Sequence, residues 1–107
     1  MTFKEKVIQS IQAIPYGNVA SYSQIALLAG SPRAARQVGS ILNHLEHKLE
    51  VPWWRVVNNT GRISIKGSTY HPIDQKLRLE EEGIAINVDL TFDIEKYRWS
   101  PAQSFYN

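Results

Sequence analysis

The chain has no cysteine in its 107 residues. That absence excludes disulfides, thiolate-held metals and every mechanism that needs a cysteine nucleophile. Also missing is any apolar run near the ~18 residues required to cross a bilayer. The opening Met1-Thr2-Phe3-Lys4-Glu5 lacks the apolar stretch of a secretory leader. The expected location is therefore intracellular, without membrane contact. His44, His47 and His71 have no ligand spacing and no glycine-rich phosphate loop is visible, so neither a metal nor a cofactor is expected. No internal repeat or low-complexity linker divides the chain, and its length suits one domain, residues 1–107, with one core.

What is there begins with charge. The formal net charge is only +2, but residues 31–73 carry six cations against two acids, whereas residues 74–95 carry seven acids against two cations. A chain that is basic in the middle and acidic beyond it can face a polyanion with the former. Charge alone is equally compatible with a mixed, solvated surface.

Apolar spacing predicts a largely helical domain. Phe3, Val7, Ile11 and Ile14 share one helical face, and Thr2 with Glu5 forms a capping-box pattern before them. Pro15-Tyr16-Gly17-Asn18 reads as a turn. Ser21 and Gln24 form a second capping box, opening a short helix through Leu28 with Ile25, Leu28 and Ala29 inward; Gly30 ends it. Ser31-Pro32 reads as an N-cap with proline at the first position of another helix. Two helices across so short a turn outline a helix-turn-helix. In the second, Ala34, Ala35, Val38, Ile41, Leu42 and Leu45 form the apolar stripe, and Arg33, Arg36, Gln37, Ser40, Asn43 and His44 lie on or near the other side. By pattern alone this is either a recognition helix or an ordinary amphipathic one. Val56-Val57 and Ile63-Ser64-Ile65 flank the turn Asn58-Asn59-Thr60-Gly61 and predict a β-hairpin, a candidate wing. His71-Pro72 begins a further helix that ends near Gly83, with Ile73 and Leu77 inward. Ile84, Ile86 and Val88 alternate as in a strand, and Tyr97 and Trp99 are placed to fasten the C-terminal segment. The expected fold class is mainly α with a small β-hairpin, a winged-helix-like helix-turn-helix.

Four segments carry more specific information: Ile14-Pro15-Tyr16-Gly17-Asn18-Val19, Ser21-Tyr22, Arg33-Ala34-Ala35-Arg36-Gln37-Val38-Gly39, and Val51-Pro52-Trp53-Trp54-Arg55-Val56-Val57-Asn58. In this order and spacing they resemble the DNA-binding domain of O6-alkylguanine-DNA alkyltransferases, over most of residues 3–83. In those enzymes the residue after the proline is the cysteine that takes the alkyl group. Here it is Trp53, and Trp54 stands where the enzymes have the activating histidine. An indole is no substitute for a thiolate nucleophile, so covalent repair by the usual route is excluded. Tryptophan at this place is the mark of the alkyltransferase-like proteins, which sense O6-alkylguanine and pass it to nucleotide-excision repair. Histidine usually follows that tryptophan, so the role of Trp54 is open. Glu82 matches the acid that orients the enzymes' histidine and is expected to be a relic or a structural group.

The resemblance implies roles residue by residue. Tyr22, Arg33, Arg36, Gln37 and Ser40 form the DNA-binding set. Arg36 is the finger that enters the base stack from the minor groove, a task suited to a planar guanidinium. Tyr22 pushes the 3′ phosphate and helps rotate the nucleotide. Tyr22, Trp53, Val56, Lys66 and Gly67 form the alkylguanine pocket, with Trp53 as a wall, Lys66 closing over the base, and the Val56 carbonyl and backbone near Gly67 reading the base edge. Without the resemblance, Arg36 reads as a phosphate contact, Tyr22 as half-buried packing and Trp53 as a core residue. The implied partners are double-stranded DNA containing O6-alkylguanine and nucleotide-excision-repair proteins. The chain is expected to be a monomer, since no additional dimerisation helix is visible, and not an enzyme. A helix-turn-helix regulator of undamaged DNA is the competing reading.

Overall fold

Helix α1 (Phe3–Gln12) begins where its cap places it. Thr2 Oγ1 accepts the Glu5 N–H at 3.1 Å and Glu5 Oε1 accepts the Thr2 N–H at 3.0 Å, satisfying donors that the first turn cannot satisfy itself. Val7, Ile11 and Ile14 are buried, as their spacing requires. The computed structural model describes residues 1–45, 50–63 and 72–101.

Strand β1 (Ala20–Ser21) leads directly into helix α2 (Tyr22–Leu28), capped by the second box: Ser21 Oγ accepts from Gln24 N at 3.1 Å, and Gln24 Oε1 accepts from Ser21 N at 3.0 Å. The inward face of α2 is Ile25, Ala26 and Ala29; Leu28, expected inside, is exposed. A seven-residue helix wedged against both α1 and helix α3 (Ala35–Asn43) buries small and β-branched residues at the close contact and turns the leucines out. Gly30, at φ +90°, ends α2: its N–H donates to Leu27 O at 3.0 Å, and the Ser31 N–H donates to Ala26 O at 2.9 Å. Ser31 is thereby drawn into the end of α2 and does not cap α3. The α3 N-cap is Ala34, without a side-chain bond, and Arg33 lies in the turn ahead of the helix. The helix-turn-helix itself is as expected, with Ala34, Val38, Leu42 and Leu45 buried along α3.

The strand pairing differs from expectation. Strand β2 (Val56–Val57) pairs in parallel with β1, in the register Ala20↔Val56 and Ser21↔Val57, rather than folding back in a hairpin. Parallel strands need a crossover, which α2, α3 and a 3₁₀ turn at Trp53–Arg55 provide. The Asn58–Gly61 turn does form, closed by Gly61 N–H to Asn58 O at 3.0 Å, but it delivers the chain to residues 90–92. Ile63 N–H donates to Leu90 O at 2.9 Å, Phe92 N–H donates to Gly61 O at 2.8 Å, and Arg62 bridges Thr91. Ser64 and Ile65, the rest of the expected hairpin strand, lie outside the described residues. Among the described residues the fold is mainly helical with one two-stranded sheet.

Helix α4 (Pro72–Glu81) starts at the expected proline, but faces the core with Gln75 and Leu79; Ile73 and Leu77 are 59% and 54% exposed. Positions 75, 79 and 82 share one face, and Gln75 and Glu82 find hydrogen-bond partners there that decide which side goes in. The segment after Gly83 is not a strand. Ile84 is buried and Ile86 half-buried, but Asn87–Leu90 forms a turn and leaves Val88 99% exposed. Helix α5 (Ile94–Tyr97) and Trp99 close the domain: Val19 N–H donates to Tyr97 O at 2.9 Å and Trp99 N–H donates to Val19 O at 2.7 Å. Two apolar clusters result, one among α1, α2, α3 and Trp53, the other around Val57, Leu79, Ile84 and Phe92; Trp54 touches both.

Candidate nucleic-acid interface

Tyr22 is the first residue of α2, so the Ser21 cap that starts the helix also fixes its ring. The ring is half-buried against the first cluster and passes Gly39 of α3, where an added Cβ would stand 3.9 Å from Tyr22 Cε1. Burial pushes the Tyr22 hydroxyl pKa up, so the group stays protonated and able to donate to a phosphate. Across from it, Arg36 projects from the first turn of α3, exposed and without an ion-pair partner among the described residues. An open groove of ≈ 840 Å³ runs between these elements, lined among others by Tyr22, Arg36, Gly39, Ser40, Asn43 and Asn58.

Of the sequence-based DNA-binding set, the structure brings Tyr22, Arg36 and Ser40 into this groove. Arg33 and Gln37 are exposed alongside Arg36 but do not line it. Of the pocket set, Trp53 and Val56 sit in the first apolar cluster, 6% and 0% exposed, with Tyr22 packed against the same cluster. Lys66 and Gly67 lie outside the described residues.

A charged knot joins Gly17, Trp54, Arg55 and Glu82. Glu82 Oε2 accepts from the Trp54 indole Nε1 at 2.6 Å, and Glu82 Oε1 from Gly17 N at 2.8 Å. Arg55 Nε lies 3.0 Å from both carboxylate oxygens, Arg55 Nη2 lies 3.0 Å from Oε2, and Arg55 Nη1 donates to Ile14 O at 2.9 Å. Burial alone would raise the Glu82 pKa, but the hydrogen bonds from Arg55, Gly17 and Trp54, with the charge of Arg55, hold it below the usual carboxylate value. Trp54 thus takes the acid that the enzymes' histidine would take. Glu82 joins the turn before β1, the 3₁₀ turn bearing Trp53, and the end of α4.

Several residues at the site carried no readable role in the sequence. The guanidinium of Arg78 lies 5.8 Å from the Trp53 ring centre and 5.0 Å from that of Trp54, while the two indoles meet edge to face at 6.0 Å. Arg98 donates to Gln24 Oε1 at 2.7 Å and to Asn59 Oδ1 at 3.1 Å, tying the far wall of the groove to the N-terminus of α2. Asn58 stood inside a recognised motif without a role; for Arg78 and Arg98 no sequence signal existed.

Residues 2–84 match the family model of the 6-O-methylguanine DNA methyltransferase DNA-binding domain. The chain is 42% identical over 99 residues to the DNA base-flipping protein of Escherichia coli (strain K12), a match covering 92% of this chain and 75% of that one. It is 40% identical over 103 residues to Alkyltransferase-like protein 1 of Schizosaccharomyces pombe, covering 92% and 95%. The crystal structure of S. pombe Atl1 in complex with damaged DNA containing O6-carboxymethylguanine superposes with a TM-score of 0.86 at 40% identity, over 92% of this chain and 95% of that one. With no cysteine and with Trp53 after the motif proline, the chain belongs to the alkyltransferase-like proteins of the 6-O-methylguanine DNA methyltransferase DNA-binding-domain family.

Proposed function

We propose that this protein is a DNA-damage sensor that binds O6-alkylguanine in duplex DNA, turns the nucleotide out of the helix and does not dealkylate it. The observation that carries the reading is the S. pombe relative, alike over 92% of this chain and seen on DNA containing O6-carboxymethylguanine. The absence of cysteine supports binding without alkyl transfer. In this reading α3 lies along the groove of the DNA and Arg36 fills the gap in the stack. Tyr22 donates to the phosphate beside the lesion, and Arg33, Gln37 and Ser40 hold the backbone. Extruding a base costs a few kcal/mol of stacking and pairing, which the pocket must recover. Trp53 supplies an apolar wall for the alkyl group, Lys66 closes over the base, and the Val56 carbonyl and the backbone at Gly67 read its edge. The protein works as a monomer inside the cell, and the bound lesion is handed to nucleotide-excision repair.

The test is a titration of the protein into two labelled duplexes, identical except for one O6-methylguanine, at one stated salt concentration. Tighter binding to the lesion, which is recovered unchanged, is the expected result. Equal binding to both duplexes refutes lesion sensing and leaves a helix-turn-helix protein for undamaged DNA.

A further inference from the structure

Arg98 stands beyond residues 2–84, the stretch that matches the family model, yet it joins two elements that line the groove. Its backbone is held beside β1 by the Val19↔Arg98 bridge, with Val19 N–H donating to Tyr97 O and Trp99 N–H to Val19 O. From there Nη1 donates to Gln24 Oε1 at 2.7 Å, in the first turn of the helix that carries Tyr22 and Ser23. Nη2 donates to Asn59 Oδ1 at 3.1 Å, on the Asn58–Gly61 turn, and lies 2.9 Å from Glu95 Oε1. The Arg98 side chain is 21% exposed, and its guanidinium is occupied by these three partners. Asn59, by contrast, is exposed and lines the groove. A guanidinium only donates, so the Asn59 amide must turn its oxygen to Arg98. The NH₂ is left on the other side, with two donors and no partner among the described residues.

We propose that Asn59 is a contact to the DNA backbone and Arg98 its positioning residue: by holding Oδ1, Arg98 turns the Asn59 NH₂ into the groove, where it donates to a phosphate oxygen. This rests on the reading of the groove as the DNA-binding face. Phosphate oxygens only accept, so an amide fits the backbone when it presents its NH₂ and not when it presents its oxygen. Among the described residues the bank opposite α3, Tyr22, Ser23, Asn58 and Asn59, carries no arginine or lysine on the groove lining, so neutral donors are what it offers a polyanion. A phosphate contact fixes the register of the duplex and carries no sequence information, so Asn59 serves damaged and undamaged DNA alike.

Labelled duplexes carrying guanine or O6-methylguanine at one position are titrated over a salt series with the wild type, Asn59→Ala, Asn59→Asp, Arg98→Met and the double variant Arg98→Met/Asn59→Ala, and the stability of each protein is measured in urea. Asn59→Ala is expected to weaken binding about 10-fold on both duplexes, the size of one hydrogen bond to a charged acceptor. Asn59→Asp keeps the acceptor for Arg98, so it is at least as stable as Asn59→Ala, but it sets a carboxylate where the donors faced phosphate and binds more weakly still. An asparagine that only braced its turn gives the opposite order, with the aspartate binding better than the alanine, and that order overturns the proposal. Arg98→Met is expected to weaken binding about 3- to 10-fold with the salt slope unchanged, and to add nothing once Asn59 is alanine. A slope reduced by about 1 makes Arg98 itself the phosphate contact, and an equal loss in the Asn59→Ala background shows that it acts through another group; either result overturns its positioning role. Asn59→Ala binding as the wild type does, or losing affinity for the O6-methylguanine duplex alone, overturns the backbone contact, and the exposed Asn59 decides the matter if Arg98→Met fails to fold. A wild type that binds both duplexes alike refutes lesion sensing alone, and the order of the variants still decides this inference. One that binds neither duplex overturns the groove as a DNA-binding face, and this inference with it.

Discussion

Glu82→Ala removes the centre of the knot that joins Gly17, Trp54 and Arg55. The Glu82 side chain is 4% exposed and that of Arg55 14%, so the guanidinium left behind would be largely buried beside a vacancy. Breaking one side of a buried ion pair costs about 3–5 kcal/mol. The Gly17 amide and the Trp54 indole also lose their acceptor, at about 1–3 kcal/mol each if dry, while water entering the vacated space offsets part of the total. The expected loss is therefore about 3–5 kcal/mol out of a domain stability of roughly 5–15 kcal/mol, or a fall in Tm of roughly 15–25 °C. Urea denaturation of Glu82→Ala, Arg55→Met and the double variant Arg55→Met/Glu82→Leu measures it. The double variant buries no unpaired charge and should lose less than the sum of the single changes. The pH dependence is a second check. Because the folded Glu82 pKa lies below the usual 4.5, the native state holds the proton less readily than the unfolded chain. Its stabilisation is complete above the unfolded value and drains away as pH falls through the folded one. Glu5 and Asp89 are lowered as well, so the difference between wild type and variant, not the wild-type curve alone, isolates Glu82. A loss below about 1 kcal/mol, or an acid limb that is the same in both proteins, refutes the reasoning.

Three further substitutions have defined outcomes. Gly61→Ala sets a Cβ 2.5 Å from Phe92 O at φ +77° and should cost about 2–4 kcal/mol in urea denaturation. Gly30→Ala, at φ +90° with open space around it, should cost only about 1–2 kcal/mol, and equal losses would show that the Phe92 contact is unimportant. Arg36→Ala should weaken binding to the O6-methylguanine duplex more than to the undamaged one, and reduce the salt slope by about 1; an equal fall on both duplexes would make Arg36 a phosphate contact only. Trp53→Cys, once its stability has been checked, should take up no alkyl group by intact-mass measurement. Trp54 occupies Glu82 where the enzymes' activating histidine would stand, so efficient transfer would disprove that account of activation.

The parts of the fold legible in the sequence are those settled within a few residues. Both capping boxes close over a separation of three, and both form as read. The turn at Asn58–Gly61 forms for the same reason. What misled was any decision made at a distance. Ser31 is a good N-cap by type, but its amide is taken by Ala26 O at the end of the preceding helix. Ile73 and Leu77 have the right spacing for a core face, yet Gln75 reaches carbonyls 19 and 21 residues earlier, and those bonds turn the helix the other way. The hairpin fails likewise, because Val56-Val57 finds β1 across the helix-turn-helix rather than its sequence neighbour. At the site, motif order singled out Tyr22 and Arg36, which the structure places on the lining of one groove. Arg55 was visible only as a letter in a motif, since its partners Ile14 and Glu82 lie 41 and 27 residues away.

On the proposed reading, the pair Trp54–Glu82 keeps the frame of the enzymes' site without its proton acceptor. In the enzymes this chain resembles, the acid holds a histidine that must accept a proton from the thiol. An indole N–H can fill the same hydrogen bond at 2.6 Å, but it is a donor only and has no lone pair with which to take a proton. The geometric requirement and the chemical one are thus met by different properties of position 54, and tryptophan satisfies the first alone. Glu82 retains a function in either case, because Gly17 and Arg55 need its charge whether or not a reaction follows. It is therefore a structural group rather than a relic: its bonds tie the turn ahead of β1, which leads to Tyr22, to the 3₁₀ turn that bears Trp53. Catalysis depends on the proton-accepting residues at this place, whereas the joining of the Gly17 turn to the 3₁₀ turn depends on the carboxylate.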